Sequence, residues 1–142
     1  MISNLFFKDE ELGMSEKIEI FNSDLLSLAF EKIYEIDHYI TFKIEVYSDG
    51  FSGGCSFCIS IALLEKALLD LKYILEHLHG TIMLQDTDSE SYFLLRGDKN
   101  GFYLSTELNS LDGNIKAIFR DILVDQTITK TLSEGIQCLL NK

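Results

Sequence analysis

The fold is decided by residues 40–78, which read ITFKIEVYSDGFSGGCSFCISIALLEKALLDLKYILEHL. Apolar and polar residues alternate over residues 40–47, the pattern of a strand with one buried face. Ser48-Asp49-Gly50 predicts a turn, and a second strand is expected to return over residues 51–60. Over residues 61–78, leucine and isoleucine recur at steps of three and four, which predicts a helix with one buried stripe.

Strand patterns also lie on both sides of this stretch, and a second helix is predicted near the end of the chain. The other predicted strands cover residues 17–21, 28–34, 81–85, 92–97, 101–108 and 115–124. Ser60 and Gly80 are expected to begin and end the first helix. Thr131 and Glu134 predict a capping box for the last helix, which runs through Leu140. These patterns predict an α+β fold: a mainly antiparallel sheet, open or folded into a sandwich, with one inserted helix and one C-terminal helix.

The 142 residues contain no proline, no internal repeat and no linker-like segment, so we expect a single domain over residues 1–142. Residues 1–16 are expected to be its most loosely attached part. No run approaches the roughly 20 apolar residues that a membrane-spanning helix needs. The N-terminus lacks the basic flank of a secretory signal, and three cysteines, an odd number, favour a reducing compartment. We therefore expect a cytoplasmic protein.

Acidity is the strongest signal in the composition. Asp and Glu number 23 against 12 Lys and Arg, which gives a formal net charge of −11. A field of this sign repels nucleic acid and anionic membranes and speeds association with basic proteins. The sequence therefore predicts a basic protein partner, and neither a nucleic-acid nor a membrane partner. Solubility alone is the alternative explanation of the charge.

Six acidic residues are expected to meet at one end of the sheet. If successive strands alternate in direction, the loops 86–90 and 109–114 and the segment 35–37 all emerge at the same end. No Lys or Arg occurs between residues 72 and 96 to offset them. The predicted partner-binding residues are Glu35, Asp37, Asp86, Asp88, Glu90 and Asp112. A solvated loop edge is the alternative interpretation.

Two patterns imitate metal sites. Cys55-x2-Cys58 with His77-x-His79 could supply four zinc ligands, but residues three apart in a strand point to opposite faces. Asp86-x-Asp88-x-Glu90 imitates the start of a calcium loop, but Ser91 and Gly97 stand where that loop needs Gly and Glu. We therefore predict no bound metal and no cofactor.

No catalytic arrangement stands out in the chain. The sequence lacks a nucleophile motif such as GxSxG, a Gly-rich phosphate loop and a recognisable partner base. We therefore predict a binding protein without catalytic residues, and we expect Cys138 of the last helix to lie in the core. Two other classes stay open. One is a small metal- or ligand-dependent enzyme that uses His77, His79 and the cysteine pair, and the other is a structural module that self-associates through a sheet face.

Four short motifs resemble a family of small bacterial proteins, the WapI-type immunity proteins. The motifs are Gly50-Phe51-Ser52-Gly53 before a strand, Leu75-x-x-Leu78-x-Gly80 at a helix end, Asp86-x-Asp88-Ser89-x-Ser91-Tyr92 before a strand, and Asp125-Gln126-Thr127 before the last helix. Their order and spacing give the resemblance its weight. It implies a role without a reaction: binding, inside the producing cell, the C-terminal toxin domain of a large secreted contact-dependent toxin, often an RNA-cleaving one.

This implied role agrees with the charge. A nuclease is electropositive where it holds phosphates, so a strongly acidic inhibitor can steer onto that surface. We therefore expect a monomer that forms a tight one-to-one complex with its cognate basic toxin domain. Asp125-Gln126-Thr127 is expected to be structural, with Asp or Thr capping the last helix.

Overall fold

The computed structural model describes residues 17–140, so the expected loose attachment of residues 1–16 lies outside the described residues. The described strands are β1 (Lys17–Asn22), β2 (Ser27–Ile36), β3 (Tyr39–Ser48), β4 (Phe51–Ser60), β5 (Gly80–Gln85), β6 (Tyr92–Asp98), β7 (Gly101–Asn109) and β8 (Lys116–Val124). Helix α1 (Ile61–His77) joins β4 to β5, and helix α2 (Ile128–Leu139) follows β8. The predicted α+β class, with one inserted and one C-terminal helix, is confirmed.

The strands form two antiparallel four-stranded sheets. Sheet 1 has the order β1-β2-β3-β4, and sheet 2 has the order β5-β6-β7-β8. Each half of the described chain is therefore four strands in consecutive order followed by a helix. Tight turns permit this order in sheet 1, where Asp37, His38 and Asp49 adopt φ values of 52°, 68° and 52° in the two hairpin turns after β2 and β3.

The inner faces of the two sheets pack on each other, as in a sandwich. Phe30 of sheet 1 lies edge-on to Phe93 of sheet 2, with 6.2 Å between the ring centroids. Phe42 and Phe57 continue this aromatic layer across sheet 1, with centroid separations of 5.3 Å from Phe30 to Phe42 and 6.0 Å from Phe42 to Phe57. All four rings are fully buried, so the core lies between the sheets.

Each helix also packs against the sheet of the other half. α1 follows sheet 1 and contacts β5 of sheet 2, whereas α2 follows sheet 2 and contacts β1 of sheet 1. The α2 contact is close at Gly135, where an added Cβ would clash with Ile20 Cδ1. The two helices touch each other as well. Neither of these helices is long and apolar enough to cross a membrane.

Helix α1 begins where predicted and ends earlier than predicted. Ser60 is its N-cap, and Ser60 Oγ accepts a hydrogen bond from Leu63 N at 3.2 Å. Leu78 takes the left-handed conformation, with φ 60°, and donates its N–H to Ile74 O at 2.7 Å. The helix therefore ends at His77, and the residue that turns the chain is Leu78 rather than the expected glycine.

Helix α2 begins before the predicted capping box. Thr127 is the N-cap residue, and Asp125 Oδ1 accepts the Thr127 N–H at 2.8 Å just ahead of the helix. Thr131 lies inside the first turn, where its hydroxyl donates to the carbonyl oxygens of Thr127 and Ile128. The predicted capping box is therefore wrong. Cys138 is exposed, so its predicted place in the core is wrong as well.

Candidate functional site

A recess opens where two loops of sheet 2 meet the β4 edge of sheet 1, and we call it the junction recess. Its volume is about 730 Å³. Sheet 1 lines it with β2 and β3 side chains and with the middle of β4, and sheet 2 lines it with the loops after β5 and β7. The lining residues that matter below are Ile33, Tyr34, Cys58, Asp86, Asp88, Ser89, Asn109 and Leu111.

Asp86 attaches the loop after β5 to strand β4. Its Oδ1 accepts the backbone N–H of Cys58 at 2.8 Å, and its Oδ2 accepts the Ser89 hydroxyl at 2.6 Å. Thr87 N–H donates in turn to Cys58 O at 3.0 Å. Asp86 is only 7% exposed. A buried carboxylate therefore holds the loop, and the two groups that donate hydrogen bonds to it are both neutral.

Ser91 joins the two loops to each other. It is fully buried, and its Oγ accepts from the backbone N–H of Asn109 at 3.0 Å and from Asn109 Nδ2 at 3.1 Å. Cys55 Sγ donates to the same oxygen at 3.7 Å. Burial raises the pKa of the Cys55 thiol, which keeps it protonated and able to donate. Polar contacts therefore hold both loops to the sheet junction.

The recess contains carboxylates that form no ion pair with a described Lys or Arg. Its lining contains no Lys or Arg. Within residues 17–140, no Lys or Arg side chain lies within ion-pair distance of Asp86, Asp88, Glu90 or Asp112. Asp88 and Glu90 are exposed, so two carboxylates face solvent beside the buried one. This part of the surface can therefore attract a basic partner.

The six predicted contact residues occupy different positions relative to the recess. Asp86 and Asp88 line it, and Asp112 directly follows the lining residue Leu111. Glu35 directly follows the lining residue Tyr34, and it is paired with Lys32 at 3.2 Å. Only Asp86 and Asp88 of the six therefore line the recess, since Asp37, in the turn after β2, and Glu90 do not line it either.

Of the six residues, Asp86 differs most clearly in burial and role from what the sequence predicted. Sequence reasoning placed it on a solvated loop as a partner contact, whereas it is buried and holds its own loop to β4. Asp88, two residues later, is exposed and is the loop carboxylate that a partner can reach directly.

The sequence did not identify which exposed apolar side chains lie at the recess. Tyr34 and Ile33 are 53% and 46% exposed on the sheet 1 wall, and Leu111 is fully exposed on the opposite loop. A register shift between Lys32 and Tyr34 interrupts the alternation of β2. A leucine within a polar turn was the only signal for Leu111, and a single exposed apolar residue is too common on protein surfaces to indicate a site.

The zinc pattern is not assembled. Cys55 pairs in register with Ile44, whose side chain is buried on the inner face, whereas Cys58 pairs with Thr41 on the outer face. His77 instead stacks on Tyr73 of α1, with 4.1 Å between ring centroids. Among residues 17–140, no three His, Cys, Asp or Glu side chains form a group that could hold a metal ion.

A second open recess of about 720 Å³ lies on the outer face of sheet 1, and two lysines, Lys17 and Lys43, line it together with Glu19 and Glu45. Glu45 accepts from Lys17 at 2.8 Å and from Lys43 at 3.1 Å. These two bonds lower the pKa of Glu45, and the same contact raises the pKa of Lys17. The junction recess therefore differs from this one in having carboxylates without cations.

We expect the fold to lose stability in acid, because three carboxyl groups have lowered pKa values. Hydrogen bonds from the Asn114 and Thr127 N–H groups lower the pKa values of Asp112 and Asp125, and Lys17 lowers that of Glu45. Each pKa is then lower in the folded than in the unfolded chain. The stabilisation is therefore complete above the ordinary carboxyl pKa of about 4 and is lost as pH falls through the folded pKa. We expect a constant melting temperature between about pH 5 and pH 6 and a fall below about pH 4.

The substitution Asp112→Asn provides the control for this prediction. Asparagine keeps an acceptor for Asn114 N–H but has no carboxyl group to titrate. Melting curves followed by far-UV circular dichroism should therefore show a shallower fall in acid for this variant. A variant profile that coincides with that of the parent protein at every pH would contradict a contribution from Asp112.

Comparison of the chain with protein-family models, with curated proteins and with solved structures finds no match. The resemblance to WapI-type immunity proteins therefore rests on the four sequence motifs. The structure gives one of them a physical explanation, because Asp86, Ser89 and Ser91 of the third motif form the contacts that hold the loop after β5.

Proposed function

We propose that this protein is a WapI-type immunity protein, which binds and neutralises the C-terminal toxin domain of a cognate contact-dependent toxin in the cytoplasm. The observation that carries the proposal is the junction recess, a partly apolar cleft with carboxylates and without Lys or Arg in its lining. With the net charge of −11, this surface is complementary to a basic one. An RNA-cleaving domain needs such a basic surface to hold phosphates.

Charged and apolar side chains have separate roles in the proposed complex. Asp88, Glu90 and Asp112 raise the rate of encounter and orient the basic partner, because long-range attraction acts before contact. Tyr34 and Leu111 supply the area that is desolvated on contact, and aromatic residues in such positions often carry much of the binding energy. The proposed partner surface is therefore the rim and wall of the recess rather than the acidic loops alone.

The proposed mechanism is occlusion of the toxin's RNA site. Carboxylates seated on a phosphate-binding surface occupy the positions of the RNA phosphates and neutralise the groups that would bind them. No chemical step by the immunity protein is needed. Tight binding is needed instead, and it benefits from loops whose shape is already set by the Asp86 and Ser91 contacts, because less conformational entropy is lost on binding.

Calorimetric titration tests the proposed function. The purified protein is titrated with the toxin C-terminal domain encoded by the reading frame immediately upstream, at low and at moderate salt. We expect one-to-one binding in the nanomolar range that weakens as salt rises, because screening shortens the reach of surface charge. Absence of binding at both salt concentrations would contradict the proposal.

A second readout separates binding from neutralisation. The toxin domain's RNA cleavage is measured with increasing amounts of this protein, and inhibition should be complete near one equivalent. A tight complex that leaves cleavage unchanged would contradict occlusion, even though binding itself had been found.

A further inference from the structure

We infer that the junction recess binds an arginine side chain of the partner. This inference rests on the proposed function and names the chemical group of the toxin domain that the recess receives. It follows from the buried carboxylate of Asp86, the unpaired carboxylate of Asp88, the exposed ring of Tyr34 and the absence of Lys and Arg from the recess lining.

Asp86 makes the recess suited to a cation. It is buried, it lines the recess, and its described hydrogen bonds come from two neutral groups, the Cys58 N–H and the Ser89 hydroxyl. A carboxylate offers about four lone-pair positions, so acceptor capacity remains after these two bonds. A buried carboxylate without a cation is unfavourable, and no Lys or Arg among residues 17–140 supplies one. A cation from outside can compensate this charge.

The walls favour a guanidinium group over an ammonium group. Tyr34 presents a half-exposed aromatic ring on one wall, Leu111 presents an apolar side chain on the other, and Asp88 adds a second carboxylate. A guanidinium is planar and weakly hydrated, stacks on aromatic rings and forms paired hydrogen bonds with carboxylates. An ammonium is compact and strongly hydrated, and it gains less from a partly apolar cleft.

Three other recesses of the described chain lack this combination. On the outer face of sheet 1, Glu45 is already paired with two lysines. In the groove between α1 and β5, Asp70 is paired with Lys66 at 2.9 Å. The recess beside Asp24 and Asp125 contains no buried carboxylate, because both of these side chains are exposed. The arginine site is therefore assigned to the junction recess.

A titration with tripeptides tests this inference without the toxin. Backbone amide NMR spectra of the full chain are recorded with glycyl-arginyl-glycine, glycyl-lysyl-glycine and the neutral isostere glycyl-citrullyl-glycine. We expect saturable shifts with the arginine peptide at the amides of Tyr34, Cys58, Asp88 and Leu111. The lysine peptide should bind more weakly, and the citrulline peptide should leave these amides unchanged.

Two surface variants sharpen the test. Asp88→Asn should weaken arginine-peptide binding about threefold to fivefold, since it removes an exposed ionic contact. Asp24→Asn removes the same charge elsewhere on the surface and should leave binding unchanged. Both side chains are exposed, so both variants are expected to fold.

The outcomes separate this inference from the proposed function. Equal shifts with arginine and citrulline peptides, arginine shifts scattered over other acidic surfaces, or an Asp88→Asn variant that binds like the parent would each overturn the arginine site. A toxin domain that binds in calorimetry while the arginine peptide does not would leave the proposed function standing and remove the inference. If the arginine peptide binds while the toxin domain does not, the proposed function is removed and the arginine site stands.

Discussion

The substitution Asp86→Ala is expected to lower the free energy of unfolding by about 2–4 kcal/mol. The variant leaves the partly buried N–H of Cys58 without its acceptor and removes the partner of the Ser89 hydroxyl. An unsatisfied buried donor costs about 1–3 kcal/mol, and hydrogen bonds to a charged group contribute more than neutral ones. Urea unfolding followed by far-UV circular dichroism measures the loss, which suits a chain without tryptophan.

Two matched variants show which property of Asp86 matters. Asp86→Asn keeps an acceptor for the Cys58 N–H and should therefore lose much less stability than Asp86→Ala. Asp88→Ala removes a neighbouring exposed carboxylate and should change the free energy of unfolding by no more than about 0.5 kcal/mol. If Asp86→Ala were as stable as Asp88→Ala, the attachment of the loop to β4 by the carboxylate would be refuted.

Reversing the exposed loop charges, with Asp88→Lys and Glu90→Lys together, is expected to slow association with the toxin domain about tenfold to a hundredfold at low salt. Both side chains are exposed, so the change acts on steering rather than on folding. The association rate constant is measured by stopped-flow mixing at several salt concentrations. Its dependence on salt should become weaker in the variant, because less attraction remains to be screened.

A second double variant separates the position of the charges from their number. Glu65→Lys with Glu76→Lys raises the net charge by the same amount on the exposed face of α1, away from the recess lining. We expect this control to slow association much less than the loop variant. Equal slowing by both would mean that only the overall charge matters and that the loops are not the contact surface.

Local structure was predictable from the sequence wherever a periodic pattern was uninterrupted. The alternation of residues in β3 predicted a strand and the leucine spacing in α1 predicted a helix, because one face of each element is buried. The division into two sheets could not be predicted, since alternation specifies which face of a strand is buried but not which strand lies beside it. The exchange of helices between the halves depends on the same non-local packing.

The candidate site was predictable only in part, for a similar reason. Loop composition placed acidic residues at one end of the sheets, and Asp86 and Asp88 do line one recess. The sequence could not show that Asp86 is buried and Asp88 exposed, because that difference depends on the contact with Cys58 on another strand. Tyr34 was missed because the register shift in β2 breaks the alternation on which the assignment of faces depended.

The third motif of the resemblance contains both structural residues and an exposed charged residue. Asp86, Ser89 and Ser91 form internal contacts, whereas Asp88 is exposed at the recess. A pattern of this kind sets the shape of a loop and leaves one charged side chain free to bind.

The most direct test of the central claim is an amide chemical-shift map of this protein bound to the toxin domain encoded upstream. The largest changes are expected at the amides of Tyr34, Asp88 and Leu111, while the amides of Glu65 and Leu69 on the exposed face of α1 keep their free chemical shifts. Changes confined to α1 or to the outer face of sheet 2, with the junction recess unaltered, would contradict the proposed interface.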